Sequence, residues 1–245
     1  MLRRSTTSLF ALKRGFTTAF TLIELLVVIS IIGILAGLTM PVLSRAKDKG
    51  KQAFCNNSLH QIALGFALYH ADFDDMFPAP GSKKTYGPQP EDWIWWQYGR
   101  GISNSTIGRY VEKFNPKIFT CPADRDAQDL QAKGILPNDP YRYSYSLTSY
   151  DLYRGRNLGM ATIITQSREV FAFRMNAIKN PSAKIMLVEE DRATIDDPRW
   201  VPEGNQPNLV TSRHNQHGNV VFADSHIATV TAKFGMNKTN SQPEL

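Results

Sequence analysis

Between Phe20 and Leu43 the chain reads FTLIELLVVISIIGILAGLTMPVL, a run of 24 residues in which Glu24 is the only ionisable side chain. At about 1.5 Å of rise per residue a helix of this length reaches roughly 36 Å, more than the roughly 30 Å hydrocarbon core of a bilayer. A membrane-spanning helix over 20–43 is expected, and the rest of the chain has to be arranged around it. A secretory signal would have a shorter apolar region, about 7–15 residues, ending at a small-residue cut site. This run is longer, and it continues through Pro41 into a charged helical pattern.

Charge fixes the expected direction of the span. Arg3, Arg4, Lys13 and Arg14 precede it in a stretch without acidic residues, and setting these four aside lowers the formal charge from +6 to +2. Positive charge before a span holds that end in the cytoplasm, so the residues after Leu43 are expected on the extracytoplasmic side. The basicity is topological and does not argue for nucleic acid as a partner. Glu24 calls for a reason of its own, because a carboxylate in lipid costs about 2.5–3.5 kcal/mol on insertion scales.

With its basic leader, the pattern Ala19, then Phe20-Thr21-Leu22-Ile23-Glu24, resembles the class III signal of type IV pilins and type II secretion pseudopilins. Pro41 stands where such proteins commonly carry a helix-kinking proline, whereas Ala19 replaces the glycine usual before the cut. The resemblance implies cleavage between Ala19 and Phe20 by a prepilin peptidase that also N-methylates Phe20. It further implies that Glu24 acts in assembly by pairing with a neighbouring subunit's terminal amine.

From Ser44 to His70 the residues Cys55, Leu59, Ile62, Phe66 and Tyr69 recur at intervals of four and three, which gathers them on one helical face. The span should therefore continue as an amphipathic helix over 44–75. Gly33-Ile34-Leu35-Ala36-Gly37 is a G-x-x-x-G pattern that allows close helix approach. Asp72, Asp74 and Asp75 follow the helix without the spacing of a calcium loop, so an exposed acidic turn is expected. The prolines and glycines between Pro78 and Pro90 then exclude a regular element. Trp93, Trp95 and Trp96 either anchor a core or offer a stacking surface for sugars. The runs Tyr141–Leu147, Glu169–Met175 and Lys184–Glu189 have the β-branched and aromatic character of short strands.

Near the end, Asn219–Ala223 and His226–Val230 flank Asp224-Ser225 as the arms of a β-hairpin. The nine residues between His214 and Asp224 resemble the H-x9-D-G signature of a large family of prepilin-like proteins with a single head domain. Cys55-Asn56-Asn57-Ser58-Leu59-His60-Gln61-Ile62 and Phe119-Thr120-Cys121-Pro122-Ala123-Asp124 look like that family's C-x-N-x-L-x-Q-I and F-x-C-P-x-D segments. The family's glycine is Ser225 here, at a turn position where positive φ suits serine poorly.

His214, His217, Asp224 and His226 would suit a zinc-type ion if the hairpin gathered them, but turn hydrogen bonding accounts for the same residues, and no metal ligand is assigned. No G-x-S-x-G, Walker A, H-E-x-x-H or dinucleotide fingerprint occurs, so neither catalysis nor a cofactor is expected. Cys55 and Cys121 are the only cysteines; on the oxidising side of a membrane they are expected to form a disulfide.

The expected architecture is α+β and pilin-like, a long N-terminal α-helix packed on a C-terminal antiparallel β-sheet head. Its segments are a basic leader (1–19), a transmembrane helix (20–43), the amphipathic continuation (44–75) and an extracytoplasmic head (76–245). The resemblance implies a structural subunit of a type II secretion or type IV pilus-like system. Its partners would be other pilin-like subunits and the peptidase, and it would sit as a single-pass protein in the inner membrane with a periplasmic head or enter a pilus. The competing reading is a membrane-tethered module that binds glycan or metal through the tryptophans or the histidine hairpin.

Overall fold

The computed structural model describes residues 21–83, 85–97, 100–111, 115–124, 143–204 and 207–244. Two compact units divide the chain, Met1–Arg45 and Ala46–Leu245. The expected cleavage residues Ala19 and Phe20 lie outside the described residues.

Helix α1 runs from Leu22 to Asp72 and contributes to both units. Its start is fixed by a reciprocal cap: Glu24 N donates to Thr21 Oγ1 at 3.2 Å while Thr21 N donates to Glu24 Oε2 at 2.8 Å. This T-x-x-E capping box satisfies backbone groups that a helix N-terminus leaves open. In the first unit the apolar side chains from Leu22 to Leu43 are exposed almost throughout, as suits a surface made for lipid or for other helices.

In the second unit the same helix turns amphipathic. Cys55, Leu59, Ile62, Phe66 and Tyr69 are all buried, the stripe that the 3.6-residue period requires. The helix stops at a left-handed Asp74 (φ +53), with Asp75 N donating to the carbonyl of His70 at 2.9 Å in the manner of a Schellman motif.

The buried stripe packs on a five-stranded sheet of order β5-β1-β4-β6-β7. Its strands are β1 (Tyr145–Thr148), β4 (Ile185–Glu189), β5 (Arg199–Trp200), β6 (Gly218–Phe222) and β7 (Ile227–Val230). Three of the four pairings are antiparallel as expected; β1 and β5 run parallel, making the sheet mixed. Strands β2 (Ile163–Ile164) and β3 (Val170–Phe171) form a separate small ladder, so the run Glu169–Met175 gives only two strand residues. A short helix α2 (Ala232–Gly235) follows β7.

A register shift between Ile185 and Leu187 lets one short strand serve two cores. Met186 and Leu187 both join the helix-side core with Phe66, Trp93, Phe119 and Val221, whereas Ile185 and Val188 join a second cluster around Trp200 and Phe222. Trp93 and Trp96 are buried, and Trp93 Nε1 donates to the carbonyl of Pro198 at 3.1 Å. Trp95 is half-buried beneath the Arg100 guanidinium, 4.1 Å from the ring centroid.

Candidate functional site

Four separate segments converge on one buried point. Cys55 comes from the buried stripe of α1, Cys121 follows a short 3-10 turn ending at Phe119, Glu189 closes β4, and His214 opens the turn before β6. Exposure is 0% for Cys55, Cys121 and Glu189 and 5% for His214, so water does not wet the cluster. The two thiol sulfurs lie 2.6 Å apart. His214 Nε2 is 3.5 Å from Cys121 Sγ and 3.0 Å from Glu189 Oε1.

Local backbone chemistry explains why these side chains meet. Asn215 and Gln216 both have positive φ, and His214 and His217 exchange backbone hydrogen bonds of 3.0 and 3.2 Å across them, a tight turn that aims His214 inward. Gly218 allows the chain to pass close by, since a Cβ there would meet Val210 Cγ1 at 2.6 Å and the Thr211 carbonyl at 2.7 Å. Cys121 is held by its N–H to Ser144 Oγ at 2.9 Å, and its sulfur accepts the Ala123 N–H at 3.3 Å.

A buried carboxylate is costly unless its oxygens are satisfied. Glu189 Oε2 accepts from Asn219 Nδ2 at 2.9 Å and from Asn219 N at 3.3 Å, which leaves Oε1 facing His214. Burial pulls the Glu189 carboxyl up, but the hydrogen bond to His214 and the Arg213 charge outweigh it and hold the group below the usual carboxylate range. Burial likewise opposes the His214 imidazolium, yet hydrogen bonds to Cys121 and Glu189 overcome it and lift the group to about 9. The Cys121 thiol is pushed well up by its hydrogen bond to Cys55 and by burial. Arg213 pairs with Asp124, whose second oxygen lies 3.4 Å from Arg192, so the charges around the cluster are closely balanced.

The structure separates the two ends of the H-x9-D spacing. His214 belongs to the buried cluster, whereas Asp224 is exposed at the hairpin tip, 2.5 Å from His226 Nδ1. His226 stacks on Phe222 with ring centroids 4.2 Å apart, and His217 Nδ1 meets the Asn215 carbonyl at 2.8 Å. The constellation of His214, His217, Asp224 and His226 does not form. Sequence reasoning missed Glu189; its signal was a carboxylate ending an otherwise apolar strand, Ile185–Val188.

Glu24, in the first unit, is occupied by Thr21, whose hydroxyl also donates to Glu24 Oε2 at 2.8 Å. Of the acidic residues at the helix end, Asp72 is the last residue of α1 and accepts the Tyr110 hydroxyl at 2.9 Å, and Asp74, beyond it, pairs with Arg174 at 2.7 Å.

The chain is similar to the type II secretion system core protein G of Pseudomonas aeruginosa, with 28% identity over 130 residues, which is 50% of this chain and 87% of that protein. No protein-family model matches the chain, and neither does any solved structure.

Proposed function

We propose that the chain is a structural, pilin-like subunit of a type II secretion or type IV pilus-like system. Its leader, 1–19, is removed by a prepilin peptidase between Ala19 and Phe20, and Phe20 is N-methylated. Residues 20–43 then hold it in the inner membrane as a single pass, N-terminus cytoplasmic and head (76–245) periplasmic, from which it joins other pilin-like subunits. In that oxidising compartment Cys55 and Cys121 close a disulfide between α1 and the head.

The observation that carries this reading is the exposed apolar stretch of α1 from Leu22 to Leu43, whose single carboxylate, Glu24, stands in the first turn. The likeness to a type II secretion core protein supports it. The tethered glycan-binding alternative draws less support, since Trp93 and Trp96 are core residues and Arg100 lies over the ring of Trp95.

Mass spectrometry of the N-terminus from a membrane fraction should find methylated Phe20 as the first residue. Glu24 needs two variants, because its carboxylate both caps the helix and supplies charge. Glu24→Gln keeps a side-chain acceptor for the Thr21 N–H and removes the charge; Glu24→Ala removes both. Both should be cleaved and inserted yet fail to co-purify with other pilin-like subunits. Normal assembly of Glu24→Gln would reduce Glu24 to a cap, and an intact leader on the mature wild-type chain would defeat the reading.

A further inference from the structure

We propose that, whenever its two thiols are reduced, the chain holds a zinc-class divalent ion between Cys55, Cys121, Glu189 and His214. Each residue offers one ligand atom, and the four atoms all lie within 4.8 Å of one another. Two sulfurs, one imidazole nitrogen and one carboxylate oxygen make the donor set of a tetrahedral zinc site and a poor one for calcium or magnesium, which take oxygen.

A disulfide alone does not account for the other half of the cluster. It is neutral and needs no carboxylate, yet Glu189 is fully buried with Oε1 turned to His214 beside the sulfurs. The surroundings resemble a metal's outer shell: Asn219 holds the far oxygen of Glu189, the Ala123 N–H meets the Cys121 sulfur, and Arg213 Nε stands 3.9 Å from Glu189. Two thiolates and a carboxylate around a divalent ion sum to one negative charge, which that guanidinium offsets. All four ligands are protein groups and all are buried, so the site is closed and structural, without an open position for substrate.

Binding is proton exchange without electron transfer. Each thiol loses its proton as its sulfur takes the metal, and His214 gives up any proton on Nε2 so that this nitrogen can bind. Oxidation of the pair removes two ligands, so bridge and ion are mutually exclusive states of the same cysteines. The site stands or falls independently of filament assembly.

The test uses the full chain in detergent micelles, purified under a phosphine reductant with zinc and then desalted. Elemental analysis should find stoichiometric zinc on the reduced chain and none on the chain oxidised before zinc is added. Cobalt(II) in place of zinc should give a thiolate-to-cobalt charge-transfer band in the near ultraviolet, a readout that needs no variant. Cys121→Ser and Glu189→Gln should each weaken zinc retention by at least ~10-fold. The proposal is overturned by a reduced chain without zinc, by cobalt bound with no thiolate band, by equal zinc on the oxidised chain, or by full retention in Cys121→Ser.

Discussion

Ser225 carries the sharpest local conflict in the head. Its φ is +72, where an L-residue costs about 1–2 kcal/mol and glycine costs little. The hairpin of β6 and β7 has a three-residue loop, Ala223–Ser225, with Ser225 N donating to the Phe222 carbonyl at 2.9 Å and Phe222 N to the His226 carbonyl at 2.9 Å. A loop of this kind wants glycine at its left-handed position. Ser225→Gly should stabilise by about 1 kcal/mol and raise Tm by roughly 2–4 °C for a body near 200 residues, read by thermal unfolding; a lower Tm would show that the serine hydroxyl supplies more than its backbone costs. His70 is a different case, 7% exposed between Phe66 and Phe77, its Nε2 without a hydrogen-bond partner. Burial lowers its pKa to about 4 against the opposing charge of Asp75. The folded chain then binds fewer protons than the unfolded one between about pH 4 and 6.5, so stability falls as pH falls through that window, by roughly 3 kcal/mol in all. Asp92 and Asp197 run the other way, burial having pushed them up to about 7 and about 6. The difference between wild type and His70→Phe isolates the histidine: urea midpoints should converge as pH drops from 7 to 4.5 if the variant starts lower, or separate in its favour if the two start equal. Parallel pH profiles would refute the buried neutral histidine.

Among the elements, periodicity was legible wherever the element is long. The face of α1 from Cys55 to Tyr69 follows directly from its four-and-three spacing, because five residues at that spacing define one helical face before anything in the sheet has to be known. The hairpin of β6 and β7 was legible for the same reason, with two apolar runs and a polar turn adjacent in sequence. Strands β2 and β5 were not, since two residues carry no period, and they exist because loops bring them to a partner; β3 falls inside the expected run Glu169–Met175 but fills only two of its residues. The parallel pairing of β5 with β1 joins Arg199 and Trp200 to residues some fifty positions earlier, and no local pattern encodes it. The buried cluster divides along the same line. Cys55, Cys121 and His214 each stand in a recognisable short motif, but their meeting is tertiary. Glu189 completes them because the shift in β4 changes which side chains share a face, and the sequence around it carries no mark of that shift.

For the whole molecule, the cluster closes a long loop. Cys55 and Cys121 stand 66 positions apart, and in the chain-entropy model a bridge between them stabilises by about 4 kcal/mol through the unfolded state. An ion on the same sulfurs acts through the folded state instead, adding about 2.7 kcal/mol when free metal is a hundred times the dissociation constant. With free zinc held at that excess, three preparations of the full chain should fall in order of urea midpoint: oxidised highest, reduced with zinc in between, reduced with chelator lowest. Chelator should leave the oxidised chain unchanged, because its cysteines are no longer ligands. The two contributions are separately exposed to failure. If reduction under chelator leaves the midpoint where it was, no cross-link joins α1 to the head; if zinc fails to move the reduced midpoint, Glu189 and His214 hold no metal, and their burial serves the Asn219 contact of β6 alone.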